Sequence, residues 1–270
     1  MDLPLRTDIS DFTRRDFTFD GKTKPVLITG KAGPAVVVMH EIHGFTPTVA
    51  RLCRWVRDAG FRVYAPVLFG QPDATNKESQ IDTLARMVSL CISREFTIFA
   101  ANRSSPVVDW LKPLARQAHR ECGGRGVGVI GLCLTGGFAL SMAVDPTVVA
   151  PVMGEPGAPL FFQTDKLDIS PTDLDRVKAR TAAEGLTVRG YRFEGDKICK
   201  AERFATLRRA LGSAFIGKEI PDAAGNPNGL KAQKGFPHSV FTIDLIDEAG
   251  QPTREAVNEV IAFFRDALTR

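Results

Sequence analysis

The sequence lacks any long apolar run. Its first residues, MDLPLRTDISDFTRRDFTFD, alternate charged residues with single apolar ones and contain no apolar stretch of the kind that a signal peptide needs. No other window approaches the apolar length that crosses a bilayer. We therefore expect a cytoplasmic protein without a membrane span.

Cysteine and histidine are scarce. The five cysteines are an odd number without a CxxC pair, which argues against a disulfide framework and against a structural zinc site. Of the four histidines, His40 and His43 lie three positions apart at a predicted strand end, whereas the zinc-binding HExxH motif spaces its histidines one residue further apart on a helix. The sequence therefore predicts reduced thiols, no metal and no cofactor.

An excess of charge of one sign is also missing. The formal net charge is +4, from 35 Lys and Arg against 31 Asp and Glu, and the basic residues are scattered among the acidic ones. This pattern gives little support to a nucleic-acid partner. A small molecule is the expected partner, and the sequence leaves the oligomeric state open.

Segments rich in β-branched residues alternate with amphipathic segments. The predicted strands are PAVVVMH (34–40), FRVYAPV (61–67), GVGVI (126–130), VVAPVM (148–153), LTVRGYRFEGD (186–196) and SVFTIDL (239–245). Helices are predicted in TPTVARLCRWVRDAGF, SSPVVDWLKPLARQA, residues 136–144, PTDLDRVKARTAAEG, KAERFATLRRAL and TREAVNEVIAFFRDAL. This alternation predicts an α/β fold, with a mainly parallel sheet and helices on both faces.

No repeat, low-complexity tract or Ser/Gly linker divides the chain, so residues 1–270 are expected to form a single domain. Residues 1–30 predict an N-terminal extension or an edge hairpin. Residues 213–236 are rich in Gly, Pro and Asn and predict a long loop near the active site.

The segment GLCLTGG (131–137) joins a predicted strand to a predicted helix. A sharp turn there presents its central residue beside a helix N-terminus, where aligned N–H groups favour an anion. Such a strained turn needs small neighbours, which accounts for Gly131, Gly136 and Gly137. Cys133 is therefore the candidate nucleophile, and the alternative is a buried, inert cysteine.

A thiol nucleophile needs a base and a group that orients it. RFEGDKI places Asp196 just beyond a predicted strand, and GFPHSVF places His238 just before another. Nucleophile, acid and base then follow the chain order used by α/β-hydrolases. His119 lies in a charged helical stretch and is expected at the surface, and Asp196 has an alternative interpretation as a turn residue.

From about residue 30 to the C-terminus, the chain resembles the dienelactone hydrolase family of the α/β-hydrolase fold. The resemblance is carried by HEIHG, YAPVLFG, GLCLTGG, GDK and PHS, in this order. It implies a catalytic triad of Cys133, Asp196 and His238. It also implies an oxyanion hole formed by the backbone amides of Ile42 and Leu134.

The resemblance further implies that Glu41 controls the protonation of the catalytic cysteine. Glu41 follows a buried strand, so its carboxylate would lose water and needs a partner. The alternative role for Glu41 is a structural salt bridge with a neighbouring arginine.

The sequence departs from the family pattern at two positions. Thr135 occupies a place that is commonly glycine, and its hydroxyl is predicted to cap the following helix. Thr242 stands where the founding type of the family has an arginine that holds the substrate carboxylate. Arg94 and Arg103 are candidate substrate-binding residues in its place, or are surface charges.

Together these residues predict a cysteine-dependent hydrolase of esters or lactones that forms a thioester intermediate. One alternative is a non-catalytic small-molecule-binding protein on the same scaffold. A redox thiol enzyme is a third reading, but it would need a resolving cysteine, and no CxxC partner lies near Cys133.

Overall fold

The computed structural model describes residues 5–70, 104–157 and 165–269. The strands are β1 (Thr13–Phe19), β2 (Lys22–Thr29), β3 (Ala35–Met39), β4 (Arg62–Pro66), β5 (Val127–Leu132), β6 (Val148–Gly154), β7 (Val188–Phe193) and β8 (Phe215–Ile220). The helices are α1 (Pro47–Asp58), α2 (Pro106–Cys122), α3 (Gly136–Met142), α4 (Pro171–Glu184), α5 (Ala201–Leu211), α6 (Leu230–Lys234) and α7 (Pro252–Thr269).

The eight strands form one sheet in the order β1-β2-β4-β3-β5-β6-β7-β8. From β4 to β8 every neighbouring pair is parallel, whereas β1 and β2 form an antiparallel hairpin that joins β4. The predicted α/β fold with a mainly parallel sheet is therefore confirmed. The hairpin lies at one edge of the sheet, within the segment for which an extension or an edge hairpin was predicted.

Alternate residues of β3 face two separate hydrophobic cores. Val37 and Met39 belong to the core that contains residues of α2, α3, α4 and α5. Val36 and Val38 belong to the core that contains residues of α1 and α7. Because successive side chains of a strand point to opposite faces, helices cover both faces of the sheet, as predicted.

Two predictions in the C-terminal third are wrong. The predicted loop 213–236 contains β8 and α6, and SVFTIDL (239–245) forms turns instead of a strand. The sequence of β8, FIGKEI, carries a glycine and two charges and is buried only at its two ends, because it lies at the sheet edge. In the turns, Asp244 accepts hydrogen bonds from the amides of His238 and Ser239, which replaces strand pairing with local side-chain bonds.

Within the described ranges, none of the helices combines the length and apolar character that crossing a membrane requires. The cytoplasmic location stays a prediction.

Candidate active site

The carboxyl ends of β3 and β5 define the crevice in which the site lies. The chain passes from β3 to its neighbour β4 and then crosses to β5 on the other side of β3, and ligands bind at such switch points in parallel sheets. Met39 lies opposite Gly131 in the two strands. Ile42 and Leu134 each lie three residues beyond this pair, so the two predicted oxyanion residues follow neighbouring strand ends.

Cys133 occupies a strained turn between β5 and α3. Its φ is +51°, a conformation that non-glycine residues rarely adopt. A Cβ at Gly131 would overlap the carbonyl oxygen of Thr135, and one at Gly136 would lie 2.7 Å from the Cα of Pro156. The predicted need for small residues at Gly131 and Gly136 is confirmed, because backbone approaches both positions closely. The carbonyl of Cys133 accepts a hydrogen bond of 3.0 Å from the amide of Gly157.

The Thr135 hydroxyl ties the end of β5 to the end of β3. It accepts a 2.9 Å hydrogen bond from the amide of Leu132 and lies 3.1 Å from the carbonyl oxygen of Met39 and 3.2 Å from that of His40. The predicted helix cap is wrong, because this hydroxyl makes no capping bond to α3. Its bonding capacity is used by the backbone of two strands instead.

Replacing Thr135 with valine is expected to lower the free energy of unfolding by about 1–3 kcal/mol, because a buried amide and carbonyls lose their hydroxyl partner. Urea denaturation followed by circular dichroism measures the change. Thr135→Ser is the matched control, since it keeps the hydroxyl and is expected to retain most of the stability. A valine variant as stable as the wild type would contradict this role.

Asp196 and His238 form a buried pair. The Nδ1 atom of His238 lies 2.6 Å from Oδ2 of Asp196, and both side chains are almost fully buried. The other oxygen, Oδ1, accepts hydrogen bonds from the amides of Ile198 at 2.8 Å and Cys199 at 3.1 Å. Because two backbone donors hold Oδ1, the carboxylate is oriented with Oδ2 toward the imidazole.

The environment of His238 favours its protonated form. Burial lowers the pKa of His238, but the Asp196 carboxylate and the Cys133 sulfur outweigh burial and raise the pKa well above its usual value. The Nε2 atom is buried and has no hydrogen-bond partner among the residues that the structure describes. Since Nδ1 faces Asp196, Nε2 is the ring nitrogen left for any other partner.

Glu41 is buried and accepts a 2.6 Å hydrogen bond from the hydroxyl of Thr242. No arginine within the described ranges forms an ion pair with Glu41, so the salt-bridge alternative has no support there. The preceding residue fixes the same turn: Nδ1 of His40 lies 2.7 Å from the carbonyl oxygen of Glu41, and Nε2 accepts from the amide of Leu68 at 3.0 Å. Thr242 stands where the founding type of the family has an arginine that holds the substrate carboxylate. In this chain, Thr242 binds the carboxylate of Glu41 instead.

Sequence reasoning missed a second carboxyl group. Glu155 directly follows β6, has a φ of +34° and is fully buried. Its Oε2 atom accepts a 3.2 Å hydrogen bond from the amide of Val240, two residues after His238. Burial raises the pKa of Glu155 well above its usual value, and the Glu41 carboxylate adds to the rise. The available signal was an acidic residue directly beyond a buried strand, the same pattern that singled out Glu41.

The remaining candidate residues are Arg94, Arg103 and His119. Arg94 and Arg103 fall outside the described residues. His119 lies near the end of α2, where its Nε2 atom is 2.9 Å from the carbonyl oxygen of Gly124. Helix α2 ends just before β5 begins, so His119 lies at the amino end of this strand, whereas Cys133 follows its carboxyl end.

Comparisons with known proteins found a matching family model and similar solved structures. Residues 25–160, just over half of the chain, match the model of the dienelactone hydrolase family. Dienelactone hydrolase from Anabaena variabilis is 13% identical, with 96% of this chain and 99% of that chain covered and a TM-score of 0.59. A dienelactone hydrolase-like promiscuous phosphotriesterase from metagenomic libraries is 18% identical, with coverage of 96% and 100% and a TM-score of 0.60.

An α/β serine hydrolase without a lid from Xanthomonas campestris is also similar, at 10% identity, 97% coverage of each chain and a TM-score of 0.55. A comparison with curated proteins gave no match. At these identities, the likeness to solved structures shows the fold alone.

Proposed function

Because the chain belongs to the dienelactone hydrolase family, we propose that it is a carboxylic ester hydrolase that cleaves esters or lactones with Cys133 as its nucleophile. The observation that carries the proposal is the 2.6 Å pair of His238 and Asp196. Because Asp196 occupies Nδ1 of the imidazole, the buried Nε2 atom is available to Cys133. Cys133 lies close enough to His238 to raise its pKa.

The proposed reaction begins with transfer of the thiol proton to Nε2 of His238, while the Asp196 carboxylate stabilises the imidazolium. The thiolate then attacks the carbonyl carbon of the substrate, and the amides of Ile42 and Leu134 stabilise the oxyanion. The tetrahedral intermediate collapses to a thioester, and the departing alkoxide takes the proton from His238.

The second half of the reaction regenerates the enzyme. His238 removes a proton from a water molecule as that water attacks the thioester carbonyl. Cleavage of the carbon–sulfur bond releases the acid, and the thiolate of Cys133 recovers the proton from His238. A thiol suits this position because it ionises more readily than the hydroxyl that a serine hydrolase uses.

The acyl intermediate provides the test of this proposal. The protein is mixed with 4-nitrophenyl acetate, quenched in acid at short times, digested and analysed by mass spectrometry. We expect one acetyl group on the peptide that contains Cys133, and its loss at longer times as hydrolysis proceeds. The peptide that contains Cys122 is the internal control and is expected to stay unmodified.

If neither nitrophenol release nor an acetyl adduct is detected, the proposed hydrolase function is wrong. That result would favour the alternative of a small-molecule-binding protein on the same scaffold. An adduct that forms and never decays would place the defect in the water-dependent step, and would contradict the role given to His238.

A further inference from the structure

Glu155 stands between the two segments that carry the proposed nucleophile and base. It is the first residue after β6, and Gly157, two residues later, donates a 3.0 Å hydrogen bond from its amide to the carbonyl of Cys133. The side chain of Glu155 accepts a 3.2 Å hydrogen bond from the amide of Val240. The backbone of this segment therefore holds the cysteine turn, and its carboxyl group holds the turn after His238.

The backbone conformation of Glu155 indicates that this contact is specified. Its φ of +34° lies in the left-handed region, where a residue with a Cβ is strained. A fully buried carboxyl group adds a desolvation cost. Such costs persist where the surroundings fix the conformation, and they concentrate at functional sites.

We propose that Glu155 is a positioning residue that holds the His238 turn against the turn that carries Cys133. The proposal rests on the hydrolase function proposed above. Glu155 acts through the peptide N–H of Val240, which is the hydrogen-bond partner of its carboxyl group among the residues that the structure describes.

The groups that face Glu155 favour the neutral form of its carboxyl group. Glu41 and Asp196 are acidic, Cys133 carries the thiol, and His238 is the one basic group among them. Burial and then Glu41 raise the pKa of Glu155 well above its usual value, while His238 lowers it. A neutral carboxyl group still accepts through its carbonyl oxygen, and it leaves the charges of the Asp196, His238 and Cys133 group unchanged.

Two substitutions separate the hydrogen bond from the charge. Glu155→Gln keeps an acceptor for Val240 and has the charge of the neutral acid, whereas Glu155→Leu keeps similar volume and removes the acceptor. The readout is the rate of Cys133 alkylation by iodoacetamide as a function of pH, together with kcat/KM for 4-nitrophenyl acetate. Alkylation reports on the pairing of Cys133 with His238 even in a protein that cleaves no ester.

The glutamine variant is expected to follow the wild-type alkylation profile and to keep kcat/KM within about twofold. The leucine variant is expected to need a pH about one unit higher for the same alkylation rate, and to lose at least about tenfold in kcat/KM, because His238 is no longer held beside the thiol. Asp145→Asn is the matched control. Asp145 is also a buried carboxylate, but it lies before the amino end of β6, whereas Glu155 follows the carboxyl end, and it binds Arg116 and Thr147. Replacing Asp145 should therefore leave the alkylation profile unaltered.

A folded leucine variant with the wild-type profile would overturn the proposal, and so would a glutamine variant that is shifted as far as the leucine variant. If the leucine variant does not fold, Glu155→Asp decides, because the shorter side chain keeps the acid but withdraws it from Val240 and should shift the profile. Absence of ester cleavage by the wild type, with the alkylation differences intact, would reject the hydrolase function and leave the positioning role standing.

Discussion

Replacing Cys133 with alanine is expected to lower kcat/KM for ester cleavage by at least about 10³-fold. The change removes the sulfur that is proposed to attack the carbonyl carbon, and His238 then has no thiol to deprotonate. The proposed oxyanion amides and the buried pair of His238 and Asp196 stay in place, so a small residual rate over the uncatalysed reaction is expected. Initial rates with 4-nitrophenyl acetate measure the loss.

The fold should survive this substitution. Alanine keeps a Cβ at a φ of +51°, so the strain of the turn is unchanged and the free energy of unfolding should stay within about 1 kcal/mol. Cys133→Gly should be more stable than the alanine variant, because glycine adopts a positive φ without the Cβ clash. Such a gain, accompanied by the same loss of activity, would indicate that the strain is retained for catalysis.

The matched control is Cys122→Ala. Cys122 is the last residue of α2, and its sulfur lies 3.7 Å from the hydroxyl of Tyr64. It precedes the amino end of β5, whereas the candidate site follows the carboxyl ends of the strands. Its loss should leave ester cleavage unchanged. Turnover by the Cys133 alanine variant within tenfold of the wild type would show that another group is the nucleophile.

Residue order along the chain was enough to predict that Cys133 and Asp196 lie at the same end of the strands, because parallel strands deliver their carboxyl ends to one side of the sheet. The predicted turn of Cys133 lies after β5 and Asp196 lies after β7, as the strand pattern required. His238 reaches Asp196 although the strand predicted to follow it does not exist. Its position depends on Asp244, whose carboxylate binds the amide of His238, and hydrophobic periodicity carries no signal for such a bond.

Two features that sequence reasoning missed, the partners of Thr135 and the role of Glu155, depend on contacts between distant segments. The hydroxyl of Thr135 was expected to serve its own helix, but the close approach of β3 gives it carbonyl partners almost a hundred residues earlier in the chain. The raised pKa of Glu155 comes from burial and from Glu41, neither of which a local pattern specifies. In contrast, the small residues around Cys133 were predictable, because close backbone approach excludes a Cβ whatever the partner is.

Replacing Asp196 with asparagine is expected to lower kcat by about 10³- to 10⁴-fold, a loss typical of a triad that holds the wrong imidazole tautomer. The amides of Ile198 and Cys199 both donate to Oδ1 of Asp196, so the side-chain oxygen of asparagine is required at that place. Its NH₂ group then faces Nδ1 of His238, and two donors cannot share one hydrogen bond. The ring must carry its proton on Nε2, where it can no longer accept the proton of the thiol.

Asparagine at this position also removes a negative charge, which gives the prediction a second readout. The Asp196 carboxylate is the first of the groups that raise the pKa of His238, so His238 in the variant should titrate at a lower pH, as measured by NMR of the imidazole. Asp222→Asn is the matched control, because Asp222 accepts from the amide of Gly195 in the same turn without contacting the imidazole. An Asp196→Asn variant that keeps a tenth of the wild-type kcat and shows an unchanged titration of His238 would contradict this prediction. Neither the tautomer nor the charge of His238 would then depend on the Asp196 carboxylate, and another group would have to orient the base.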